Sequence, residues 1–117
     1  MQPTSASKPV KDESRTHLKP TANPSLSSRE RAILCARTCE DNRGKDILVL
    51  DMTEVVKWVD YLVICTGASS RQLGAIADDC EKVMKEVGDV KIGVEGYGKG
   101  EWVVVDFADV VVHAFNE

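Results

Sequence analysis

Proline disappears from this chain after position 24. Pro3, Pro9, Pro20 and Pro24 all stand in the first 25 residues among serine, threonine and lysine, a composition that buries too little apolar area to offset its ordering entropy. A disordered polar tail over residues 1–25 is therefore expected, ahead of one domain over 26–117. Aromatic residues make up only 5% of the chain, so valine, isoleucine and leucine must build the core and an exposed ring becomes conspicuous. No apolar run approaches the roughly 20 residues of a membrane span. The N-terminus also lacks the apolar stretch of a signal peptide.

Basic charge is scarce where a nucleic-acid binder would need it. Residues 1–25 hold Lys8, Lys11, Arg15 and Lys19 against Asp12 and Glu13, a net of +2, which leaves −6 of the formal −4 to residues 26–117. Phosphate binding depends on clustered basic side chains that release counterions, so little direct nucleic-acid binding is expected of the acidic domain. A basic protein suits it better. The four cysteines, Cys35, Cys39, Cys65 and Cys80, are spread through expected helices and a strand, which favours core thiols in a reducing cytoplasm over a disulfide framework. Cys35 and Cys39 share a helix face, but no histidine pattern completes a zinc set. His17 and His113 are the only histidines, and neither has a nucleophile nearby in sequence. No catalytic residue, cofactor or metal is expected.

Helix signals begin at Ser27, where S-S-R-E offers a capping box between Ser27 and Glu30. A helix from Ser28 to about Asp41 follows, with Ala32, Ile33, Ala36 and Cys39 on its buried stripe and Asn42-Arg43-Gly44 as its stop. Asp46–Asp51 (DILVLD) and Tyr61–Thr66 (YLVICT) are nearly continuous apolar runs of strand length, as central strands covered on both faces would be. The connection from Met52 to Asp60 should contain a helical turn. Leu73, Ile76, Ala77, Cys80, Val83, Met84 and Val87 fall on one helical stripe, with a capping box at Ser69 and Gln72 and a stop at Gly88. A short strand over 91–95 and a glycine-rich loop over 96–100 come next.

The end of the chain forms a hairpin. Val103–Asp106 and Val110–Ala114 are β-branched runs separated by too little chain for anything but a tight reversal. If Ala108 and Asp109 make the loop, Phe107 opposes Val110, Val105 opposes Val112 and Val103 opposes Ala114, all apolar and all on one face. The other face then carries Trp102, Val104, Asp106, Val111, His113 and Phe115, a mixture unlike a core. Asp106 and His113 are diagonal neighbours there, within reach of a hydrogen bond, although an aspartate at a strand end also serves to cap a turn.

These elements predict a small α/β (α+β) domain, a mixed sheet of about five strands with two main helices packed mostly on one face. A helix is about 10 Å across and strands lie about 4.8 Å apart, so two helices cover roughly one face of five strands. The opposite face is left as a docking surface, with Trp102, Val104, Asp106, His113 and Phe115 as partner-binding candidates. A homodimer through the same face is the other expected use of it.

GxSSR at Gly67–Arg71, VEG at Val94–Gly96, EWVVVDF at Glu101–Phe107 and DVVVHAF at Asp109–Phe115, together with LVLD and DYLVICTG, resemble the ribosomal silencing factor family (RsfS, Iojap-related) from about Ser27 to Glu117. The resemblance implies a non-enzymatic, cytoplasmic repressor. It would bind the L-fourteen protein of the large ribosomal subunit and sterically prevent the small subunit from joining. It also implies a nucleotidyltransferase-like fold, and a further C-terminal segment with a tyrosine, an acidic residue and a leucine-tryptophan pair, where this sequence ends at Glu117. The alternative is a nucleotidyltransferase-like nucleotide-binding enzyme that uses the Gly67–Arg71 turn at a helix N-terminus. Ordinary capping by Ser69 is the preferred explanation of that turn. Asp106 and Asp109, three apart across a turn, do not form the aligned carboxylate pair such an enzyme needs for metal. Gly96, Gly98 and Gly100 lack the strand-then-helix context of a dinucleotide site.

Overall fold

The computed structural model describes residues 24–117, so the expected polar tail lies outside the described residues except for Pro24 and Ser25. Helix α1 (Ser28–Asp41) starts at the expected capping box: Ser27 Oγ accepts from the Glu30 amide at 3.1 Å and Glu30 Oε1 accepts from the Ser27 amide at 2.9 Å. It ends in a Schellman turn, with Gly44 N–H donating to Cys39 O at 2.8 Å and Arg43 N–H donating to Glu40 O at 2.9 Å. Arg43, not Gly44, takes the left-handed position, at φ 65°. The glycine serves close approach instead, because a Cβ there would lie 2.9 Å from the Cys39 carbonyl oxygen.

The buried stripe of α1 differs from the expected one. Arg31, Ala32, Cys35, Thr38 and Cys39 are buried, while Ile33 and Ala36 are only half so. The helix is rotated toward Arg31 because two carboxylates draw its guanidinium inward. Asp89 Oδ2 lies 2.6 Å from Nη1, and Asp109 binds both terminal nitrogens at 2.9 and 2.6 Å.

Five strands follow: β1 (Lys45–Asp51), β2 (Tyr61–Gly67), β3 (Gly93–Glu95), β4 (Trp102–Asp106) and β5 (Val110–Asn116), with α2 (Ser70–Glu86) between β2 and β3. They form one mixed sheet in the order β1-β2-β5-β4-β3, in which only β2 and β5 are parallel. The apolar DILVLD run is therefore at the edge and not central. Leu48, Val49 and Leu50 are exposed, and a register shift between Lys45 and Leu48, with Asp46 at φ 52°, bends its first half. Composition gave strand length but not position, since an unpaired edge and a buried centre can carry the same residues. Strand β3 is shorter than the expected 91–95. The turn after β1 is closed by Val55 and Val56 amides on Met52 O, at 3.0 and 3.1 Å.

Both helices pack on one face. Leu73, Ile76, Ala77, Cys80 and Met84 of α2 join the buried residues of α1 over Val63, Cys65, Val103, Val105, Phe107, Val110, Val112 and Ala114. Helix α2 begins with half of the expected capping box. Ser69 Oγ accepts from the Gln72 amide at 3.1 Å, but Gln72 Oε1 accepts from Ala68 N–H at 2.6 Å, and its Nε2 donates to the carbonyls of Asn42 and Arg43. Gln72 thus ties the start of α2 to the end of α1. The helix stops at Gly88, φ 88°, in a second Schellman turn.

Candidate docking face

The hairpin register is the expected one. Val103 opposes Ala114 and Val105 opposes Val112, and Phe107 N–H donates to Val110 O at 2.9 Å. All six side chains are buried against the helices. On the reverse side Trp102 opposes Phe115, Val104 opposes His113 and Asp106 opposes Val111, so all five candidates named from sequence share one open face. Trp102 and Phe115 are 38% and 43% exposed, and Val104, Asp106 and His113 are half-buried.

Only half of this face is legible in the sequence. Pairing of β5 with β2 sets Val111 beside Leu62, His113 beside Ile64 and Phe115 beside Thr66, and pairing of β2 with β1 continues those rows to Leu50 and Leu48. One row crosses the whole sheet as Leu48, Ile64, His113, Val104 and Glu95; the next runs Leu50, Leu62, Val111, Asp106. No segment among the described residues packs over these rows in the way the helices cover the opposite face, and an uncovered, largely apolar sheet face has the character of an interaction site. The alternation of YLVICT would have put Leu62 and Ile64 on a common face, but nothing local says that the face adjoins that of the hairpin.

The polar members of the face each have neighbours that fix them. The His113 ring stacks with Phe115, centroids 6.2 Å apart and planes 18° off parallel. Burial holds the imidazole below its ordinary pKa, and the charge of Asp106 partly opposes that shift. Asp106 Oδ1 accepts from the Ala108 amide at 2.7 Å, which is the turn-capping role. That bond supports a left-handed Ala108, φ 78°, at the centre of a tight turn closed by Asp109 N–H on Phe107 O at 3.1 Å. The Asp109 carboxylate meets Arg31 on the helix side. Asp106 and Asp109 thus have different partners on different sides of the hairpin.

The remaining sequence candidates occupy structural positions. Gly67 sits so close to α2 that a Cβ would lie 2.9 Å from Leu73 Cδ2. All four cysteines are buried; the Cys65 contact lowers the pKa of Cys39 but the Cys80 contact and burial outweigh it and push Cys39 up to about 12, while contacts with Cys39 and Cys35 respectively, together with burial, raise Cys65 and Cys80. Among the described residues no three Cys, His, Asp or Glu side chains are gathered as a metal ion requires, and no helix is long and apolar enough to cross a membrane.

Residues 25–117 match the family described as ribosomal silencing factor during starvation, RsfS. The chain belongs to that family. It is 40% identical over 88 residues to the ribosomal silencing factor RsfS of Chromobacterium violaceum, spanning 75% of this chain and 72% of that one. Against the Bacillus subtilis ribosomal silencing factor RsfS it is 40% identical over 84 residues, or 72% and 71% of the two chains. A crystal structure of a C. violaceum protein superposes with a TM-score of 0.74 at 37% identity, covering 78% of this chain and 76% of that one. A ribosomal silencing factor regulates translation.

Proposed function

We propose that the chain represses translation by laying its open sheet face on the L-fourteen protein of the large ribosomal subunit, where its bulk blocks the small subunit from joining. The uncovered face carries this reading. It combines two half-exposed rings on rigid strands with a row of aliphatic side chains, the mixture that dominates interface energies because little side-chain entropy is lost on docking. Acidic groups at its margin, Glu95 and Asp106, favour a basic partner. Trp102, Val104, Asp106, His113 and Phe115 are the contact residues, extended by Leu48, Leu50, Leu62, Ile64 and Val111, and the role requires no chemistry.

Co-sedimentation with purified large subunits tests it. Trp102→Ala should weaken association by about 2 kcal/mol, roughly 30-fold, as loss of a hot-spot anchor does, and should relieve inhibition of subunit joining in parallel. Unchanged association removes Trp102 from the site. A purified L-fourteen protein that neither binds the chain nor competes with large subunits for it refutes the choice of partner.

A further inference from the structure

The loop joining β3 to β4 links the docking face to α2 behind it. Gly96 is left-handed at φ 79°, and a Cβ on it would lie 2.3 Å from the Trp102 carbonyl oxygen and 2.9 Å from Cε3 of the indole. The Gly96 backbone is therefore pressed against the ring, a closeness only glycine permits. The next residue reaches the other layer. Tyr97 passes over α2 at Gly74, where a Cβ would meet its ring at 3.8 to 4.0 Å, and its hydroxyl donates to Asp78 Oδ2 at 2.9 Å. Gly74 and Asp78 are four apart and so are neighbours on one helical face. Tyr97 is itself 50% exposed and adds nothing to the buried core.

We propose that Tyr97 is a positioning residue for Trp102: gripped by the Gly74 and Asp78 face of α2, it fixes Gly96 beneath the indole and orders the ring before the partner arrives. This rests on the docking reading above. A ring already ordered loses less freedom on association, so loosening the grip should lower affinity by about two- to tenfold, the range for immobilising one large side chain.

The test uses the full chain carrying Trp58→Phe, which leaves Trp102 as the only tryptophan. Tyr97→Phe removes one exposed hydroxyl, Asp78→Ala removes its acceptor, and Asp78→Asn keeps an accepting oxygen. Time-resolved fluorescence anisotropy of the free protein should show a larger fast component for Trp102 in Tyr97→Phe and Asp78→Ala, and the parent value in Asp78→Asn. Co-sedimentation with large subunits should weaken two- to tenfold in the same two variants and recover in Asp78→Asn. If Trp102→Ala weakens association while Tyr97→Phe and Asp78→Ala match the parent in both readouts, the positioning role is overturned and the docking face stands. If Trp102→Ala itself associates like the parent, the docking reading fails and takes this role with it.

Discussion

The Arg31 guanidinium brings together three distant parts of the chain. It meets Asp89, just beyond α2, and Asp109, in the β4–β5 turn, and its Nε donates to Leu26 O at 3.2 Å. Burial opposes its charge, but the hydrogen bonds and charges of Asp109 and Asp89 outweigh that and hold its pKa above the ordinary value. Arg31→Met should destabilise the domain by about 3 to 5 kcal/mol, because it removes one side of a buried ion pair and leaves the carboxylates in place. The urea midpoint should fall accordingly. Arg31→Lys should recover only part of this, since an ammonium cannot reproduce the fork that grips Asp109. Such a residue is nearly illegible in sequence: its partners lie 58 and 78 positions away, and a charge amid helical polar residues reads as solvent-facing. The face of His113, by contrast, was legible from strand alternation alone. His113 titrates below its unfolded value of about 6.5, so as pH falls the unfolded chain takes up this proton first. Its contribution to stability is complete above that value and is lost as pH drops toward the folded pKa. Urea midpoints at pH 7.5 and 5.5 should therefore fall further for the parent than for His113→Gln.

Helices and strands were mostly legible because each carries its own signals. The Ser27 box and the Gly88 stop rest on contacts within a few residues and appear where the spacing puts them, and five of the seven expected α2 stripe residues are buried, with Val83 and Val87 half-buried. Errors arose where an element answers to something distant. Strand β1 is apolar yet peripheral, and the Gln72 side chain leaves its own helix cap to bond Asn42 and Arg43 across the domain. Gly74 is the odd residue inside α2, where glycine costs about 1 kcal/mol relative to alanine. A Cβ there would make only ordinary contact with Tyr97, at 3.8 Å. Gly74→Ala should therefore stabilise the domain by up to about 1 kcal/mol, read as a rise of several degrees in thermal midpoint.

At the scale of the molecule, the count of two helices against five strands was enough to anticipate one covered and one open face. What lay beyond sequence was the strand order, and with it the breadth of the open face. Of the large apolar side chains that are exposed among the described residues, Leu48, Val49, Leu50, Val55 and Trp58 cluster in and after β1, away from the β4–β5 hairpin. Strand order also governs how the domain comes into being. The seven residues of β5 lie between β2 and β4, so until Val110–Asn116 have been synthesised, the β1–β2 and β3–β4 ladders share no edge. Without β5 the two halves stay unmated, and the long-range β2–β5 pairing makes closure slow. Unpaired strand edges of this kind leave an incomplete domain prone to aggregate, so a regulator of ribosomes is itself vulnerable until β5 has docked.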